Sequence, residues 1–174
     1  MKRILFILVS MFFVASFAYA EVKPGEIPER IELKEDLGGR LDGAAWSSDE
    51  MRGRVFVLFY VDPDEKDLNN DASEALKKEN FPDEKYQSVA IINMAATWLP
   101  NFAISSSLKK KQKQYPRTTY VRDYKKALVE KWGLSDDTSD VLAFDREGRL
   151  IFRKDGKLGA GDIEKLLKVV RDHL

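Results

Sequence analysis

Cysteine is absent from all 174 residues. That excludes a disulfide staple, a thiolate nucleophile and a lipid attached through an N-terminal cysteine, so stability must come from the core. Histidine is nearly absent as well, with His173 alone beside the C-terminus. A Ser-His-Asp set would have to join it to Ser105, Ser106 or Ser107, and nothing places them together. A chain end is also a poor catalytic shell. Charge of one sign is lacking: basic and acidic side chains number 29 each, so no electrostatic case exists for nucleic acid. Walker, dinucleotide-binding, HExxH and G-x-S-x-G patterns are all missing, and no cofactor is expected.

The longest apolar run stands at the start. Lys2 and Arg3 precede it, Ile4 to Phe17 form it, and Ala18-Tyr19-Ala20 supplies a small-x-small pattern. The run is shorter than the roughly 18 residues of a spanning helix and lacks a basic stop-transfer cluster. It reads as an export leader over 1–20, cut after Ala20, which leaves no stable membrane span. Without Lys2 and Arg3 the chain carries two more acidic than basic residues. Residues 21–29, with Pro24, Gly25 and Pro28, read as an irregular lead-in, and 30–174 as one domain of ordinary size.

Within that domain the pattern alternates strand and helix. Arg30 to Lys34 alternates polar and apolar residues, and Gly38-Gly39 closes that segment off. Val55 to Val61 is an uninterrupted apolar and aromatic run, suited to a strand covered on both faces. Asp62, Pro63 and Glu65 predict a helix start, as N-cap, first-turn proline and capping-box partner. Leu68, Ala72, Ala75 and Leu76 then share one face, and Asn80-Phe81-Pro82-Asp83 ends the helix. Ser88 to Met94 is a second buried strand. A basic helix is expected from about Phe102 to Gln114, a third strand over Thr118 to Asp123, and a helix over Tyr124 to Trp132 stopped by Gly133. Val141–Phe144 and Arg149–Phe152 flank a turn at Asp145 to Gly148, and a last helix carries Ile163, Leu166, Leu167, Val170 and Leu174 on one face. This order argues for an α/β sandwich around a mixed sheet.

The order is similar to that of the thioredoxin and peroxiredoxin superfamily. Four segments resemble the YtfJ family of exported thioredoxin-like proteins more closely: Phe81 to Gln87, Ser105 to Leu108 with its lysines and Tyr115-Pro116, Trp132 to Ser139, and Asp145 to Gly156. The resemblance implies a thioredoxin-like three-layer fold and a periplasmic address. It implies no agreed catalytic residues. Against redox members, two departures stand out: Asp62-Pro63-Asp64-Glu65 occupies the Cys-x-x-Cys junction, and Thr138-Ser139-Asp140 lacks the cis-proline beside it. Thiol-disulfide exchange and peroxide reduction both need a thiolate, so neither is open to this chain.

Candidate sites follow from position. Ligands of open α/β sheets bind beside the carboxyl edge of the strands, which Asp62, Thr97, Trp98, Asp123 and Ser139 are all expected to approach. They are the expected groove for a peptide, an envelope protein or a small ligand; packing of Trp98, Leu99 and Phe102 over the core is the plainer account. Acidic residues from Asp62 to Asp71 invite a calcium reading, but neither register puts glycine and glutamate where a calcium loop needs them, and no metal is expected. Lys109, Lys110, Lys111 and Lys113 read as a solvated basic face. The expectation is a non-redox binding or accessory protein. A carboxylate enzyme using Asp62 and Asp123, or a purely structural envelope protein, are the alternatives.

Overall fold

The computed structural model describes residues 21–174; the expected leader over 1–20 lies outside them. Eight strands and four α-helices follow in the order β1 (Glu32–Leu33), β2 (Gly38–Arg40), β3 (Trp46–Ser47), β4 (Val55–Val61), α1 (Asn70–Glu79), β5 (Tyr86–Asn93), α2 (Asn101–Gln114), β6 (Thr118–Asp123), α3 (Ala127–Trp132), β7 (Ser139–Phe144), β8 (Leu150–Lys154) and α4 (Ala160–His173). Strands β1 and β3 pair as a small ribbon, and the other six form one mixed sheet in the order β2-β6-β5-β4-β7-β8. Strands β4, β5 and β6 run parallel, as short βα crossovers require, while β2, β7 and β8 are antiparallel to their neighbours.

All seven residues of β4 are buried, which explains its unbroken apolar run: helices cover one face and α3 with the β1–β3 ribbon covers the other. Alternation sorts the side chains. Val57, Phe59 and Val61 join Ala90, Ile92 and Tyr120 under α1, α2 and α4. Phe56, Leu58 and Tyr60 join Val89, Ile91 and Val121 on the side of Leu128 and Trp132. This is the expected α/β sandwich.

Besides shifts of a residue or two at strand ends, three differences from expectation have a clear physical cause. Gly38 and Gly39 do not end a segment; they form the edge strand β2, paired with Asp123 and Arg122. A Cβ on Gly38 would lie 1.9 Å from the Arg122 carbonyl oxygen, so glycine serves close strand approach rather than a turn. Asp62 caps a single 3-10 turn, Pro63–Glu65, accepting from the Asp64 N–H at 2.9 Å, and α1 starts only at Asn70. Helix α3 begins at Ala127, later than Tyr124, because Asp123 accepts the N–H groups of Lys125, Ala127 and Leu128 and holds Lys126 in a left-handed conformation. Elsewhere, Asn80 and Gly133 close α1 and α3 with positive φ, and the Asp145–Gly148 turn closes the β7–β8 hairpin. Residues 21–29 form no regular element, yet they are docked: Val22 is buried and donates to the Trp132 carbonyl at 3.2 Å.

Candidate functional site

Between the sheet and the helices α1 and α2 lies a cavity of about 500 Å³. Its floor is the inward face of the parallel strands, where Tyr86, Ser88, Ala90 and Ile92 of β5 follow one another at every second position. Phe59 and Tyr120 flank that row. Its roof is thin because α2 brings little apolar bulk: only Ile104 and Leu108 of its fourteen residues are buried, and Ala103 and Ser107 line the mouth. Small residues on both sides leave unfilled volume in a place where interiors are normally close-packed.

Two polar straps cross the mouth between the helices. Asp67, in the loop before α1, takes Lys66 at 2.7 Å and reaches Lys111 of α2 at 3.5 Å. The Lys66 ammonium, with the Asn70 amide, holds the Asp67 carboxyl down to about 2. Farther along, the Tyr115 hydroxyl donates to Glu74 at 2.9 Å, and the Lys77 ammonium lies 4.9 Å from the centre of the Tyr115 ring. Charges therefore sit at the rim. Inside, the polar groups are hydroxyls: Tyr86 and Ser88 share a 2.6 Å hydrogen bond, while the Tyr120 hydroxyl has no partner among the described residues.

At the carboxyl edge of the strands the cavity is closed by a knot around Asn69. Its Nδ2 donates to the carbonyls of Ser139 at 3.0 Å and Gly156 at 3.1 Å, and its Oδ1 accepts the Leu158 N–H at 2.9 Å. One buried amide thus joins the β4–α1 loop, the start of β7 and the approach to α4. Beside it, the Asp62 N–H donates to the Thr138 carbonyl at 3.0 Å. The junction that would carry a redox pair is occupied by internal hydrogen bonds.

The five expected groove residues do lie at this edge, but they do not meet in one concavity. Ser139 alone lines the cavity. Asp123 is buried on the opposite face, where it accepts the Tyr60 hydroxyl at 3.2 Å besides the three N–H groups at the start of α3. Strand alternation is the reason: Asp123 follows Val121 on the α3 side, whereas Ser139 lies opposite Val61 on the other face. Asp62 is buried too, and burial pushes its carboxyl up, with Asp64 N–H partly opposing. Thr97 turns back to accept the Leu99 N–H at 3.2 Å. Trp98 is 87% exposed and Phe102 78%, so neither packs over the core as the plainer account had it; Leu99 does, partly buried. The carboxylate pair of the rival enzyme reading is committed to structural hydrogen bonds. Lys109, Lys110 and Lys113 are exposed, whereas Lys111 turns to the cavity rim. His173 is exposed, its ring against the Val169 carbonyl one turn back.

A polar layer on the α3 side was missed. Asp140 is fully buried, its Oδ2 accepting the Ser135 N–H at 2.7 Å and its Oδ1 unpartnered. Burial pushes its carboxyl up to about 6. Asn93 donates to Asp136, which pairs with Lys126 at 2.5 Å. The available signal was a polar residue adjoining an apolar strand run: Asn93 after Ile91-Ile92 and Asp140 before Val141.

Comparison with known proteins agrees with this picture. A family described as "Bacterial protein of unknown function (YtfJ_HI0045)" matches residues 20–173. The Escherichia coli protein YtfJ, itself uncharacterised, is 27% identical over 154 residues, covering 86% of this chain and 83% of its own. An uncharacterised Haemophilus influenzae protein is 29% identical over 128 residues, 72% and 70% of the two chains. Among solved structures, the thioredoxin domain of a thiol-disulfide oxidoreductase from Bacteroides vulgatus superposes with a TM-score of 0.64 at 16% identity, over 86% of this chain and 99% of that one. An exposed lipoprotein thioredoxin of Streptococcus pneumoniae gives 0.56 at 17% identity, over 83% and 99%. These structures show the fold as thioredoxin-like. No described helix is long and apolar enough to cross a membrane.

Proposed function

The chain belongs to the YtfJ_HI0045 family of thioredoxin-like proteins, and from that premise we propose that it is an exported, periplasmic, non-redox binding protein whose cavity between the sheet, α1 and α2 holds a small, largely apolar ligand. The observation that carries this reading is the cavity itself. About 500 Å³ lies within the usual range of ligand sites, roughly 300 to 1,000 Å³, and its apolar lining with a few hydroxyls matches their usual chemistry. Thiol-disulfide exchange is closed to a chain without cysteine. The strand-to-helix junction at Asp62 is occupied by a turn cap.

Native mass spectrometry of the protein released from the cell envelope tests the reading. Ser107→Trp is the control: position 107 is exposed at the mouth, so an indole there blocks entry without disturbing the core. A bound small molecule on the wild type, lost from Ser107→Trp at an unchanged unfolding midpoint, is the expected result. Bare protein in both forms, with no thermal shift from a panel of apolar compounds, overturns it.

A second reading is favoured by the exposed pair Trp98 and Phe102. Exposed aromatics of this size are typical anchors of protein contacts. Another envelope protein would meet this end of α2, outside the cavity.

A further inference from the structure

The cavity is long. Its floor includes every inward residue of β5 from Tyr86 to Ile92, which at roughly 3.3 Å per residue is about 20 Å of strand. A space that follows a strand for that length suits a flexible chain better than a compact, rigid ring system. Its charged residues stay at the rim, where Lys66 and Lys111 are already shared with Asp67. One interior group is free to take a partner: Tyr120 lines the cavity, and its hydroxyl has no hydrogen-bond partner among the described residues. A ligand oxygen there would add a hydrogen bond without breaking one.

We propose that the cavity takes a single flexible hydrocarbon chain bearing an oxygen acceptor, as in a free fatty acid or the acyl chain of a lysophospholipid, with Tyr120 donating to that oxygen. This rests on the binding reading above and names its ligand class. The chain threads between Ala90 and Ser88 below and Ala103 and Ser107 above, where small residues leave the channel open. Leu76, Ile104 and Leu108 then enclose it. The Tyr120 hydroxyl keeps its proton, since burial pushes its pKa up to about 12.

The test uses residues 21–174 stripped of lipid, with fluorescent cis-parinaric acid as the probe and four competitors: palmitate, lysophosphatidylethanolamine, a sterol and a short peptide. Expected are saturable probe binding and displacement by palmitate or the lysophospholipid, the stronger of which names the source of the chain. Neither the sterol nor the peptide displaces it. Ala90→Phe fills the floor and lowers probe affinity by about tenfold or more; if that variant fails to fold, Ser107→Trp makes the same test from the exposed mouth. Tyr120→Phe weakens binding about fivefold, the worth of one hydrogen bond, without lowering the unfolding midpoint. If the sterol displaces the probe and the chain lipids do not, the acyl inference falls while the binding reading stands. If nothing binds and the envelope-derived protein is bare, both fall. Unaltered affinity in Tyr120→Phe overturns the assignment of the donor.

Discussion

Asn69→Ala removes the side chain that joins three parts of the fold, and the structure sets its cost. Three good hydrogen bonds disappear: to the carbonyls of Ser139 and Gly156, and from the N–H of Leu158. At about 1 kcal/mol each the loss is about 3 kcal/mol. Water from the adjoining cavity can replace part of it, which puts a floor near 1 kcal/mol. Asn69→Asp separates donor from acceptor. It keeps an oxygen for the Leu158 N–H but sets a second oxygen, charged at neutral pH, against two carbonyls. It is therefore at least as damaging as alanine at pH 7 and recovers in acid, where a protonated carboxyl can donate again. Urea unfolding followed by tryptophan fluorescence reads both, since Trp46 and Trp132 are buried. The midpoint should fall at unchanged slope, with Tm lower by about 6–12 °C for a domain of this size. A loss below about 0.5 kcal/mol, the level of an ordinary surface change, refutes the account of Asn69 as the knot. So does an aspartate milder than alanine at neutral pH.

Asp140 gives a pH signature of the less common sign: its carboxyl is raised to about 6 in the fold, so the native state holds that proton more tightly than the unfolded chain. Stability rises as pH falls from about 7 towards about 4 and is lost as pH rises through about 6. The full gap is worth about 3 kcal/mol, and Asp62, raised in the same direction, adds to it. Asp140→Asn should flatten most of that slope in urea melts between about pH 5 and 7.5, a window in which the lowered carboxyls of Asp67 and Glu79 stay charged; an unchanged slope contradicts the assignment. In-cell photo-crosslinking from position 98 is expected to give one dominant protein adduct if a partner docks at Trp98 and Phe102, and none from position 157. Diffuse labelling from both removes the partner reading.

Much of the sheet was readable because its strands are unbroken runs: β4 and β6 lie where the pattern put them, and the β7–β8 turn carries its own glycine. The start of α1 was not. Asp62, Pro63 and Glu65 are good local helix signals, but buried Asn69 pins the chain in place and delays the helix to Asn70. Gly38-Gly39 misled for a similar reason, since a glycine stop and a glycine contact with a neighbouring strand look alike until the neighbour is known. The candidate site divided by parity: the five residues reach one edge, yet period-two alternation sends Asp123 and Ser139 to opposite faces. The cavity was not legible at all. Whether Ala90, Ser88, Ala103 and Ser107 leave a void depends on where α2 lies over the sheet, and α2 carries too few apolar residues to declare its own position.

The first described residues carry a consequence for how far the domain can be trimmed. Val22 is a core residue, its N–H held by Trp132, and Gly133 must lack a side chain because a Cβ there would lie 2.9 Å from the Cα of Glu21. Arg153 reaches the Val22 and Gly133 carbonyls from the other side. The lead-in is therefore part of how the core closes and not a tail hung on it: a chain trimmed past Val22 would lose a buried side chain and leave the Gly133 turn uncovered.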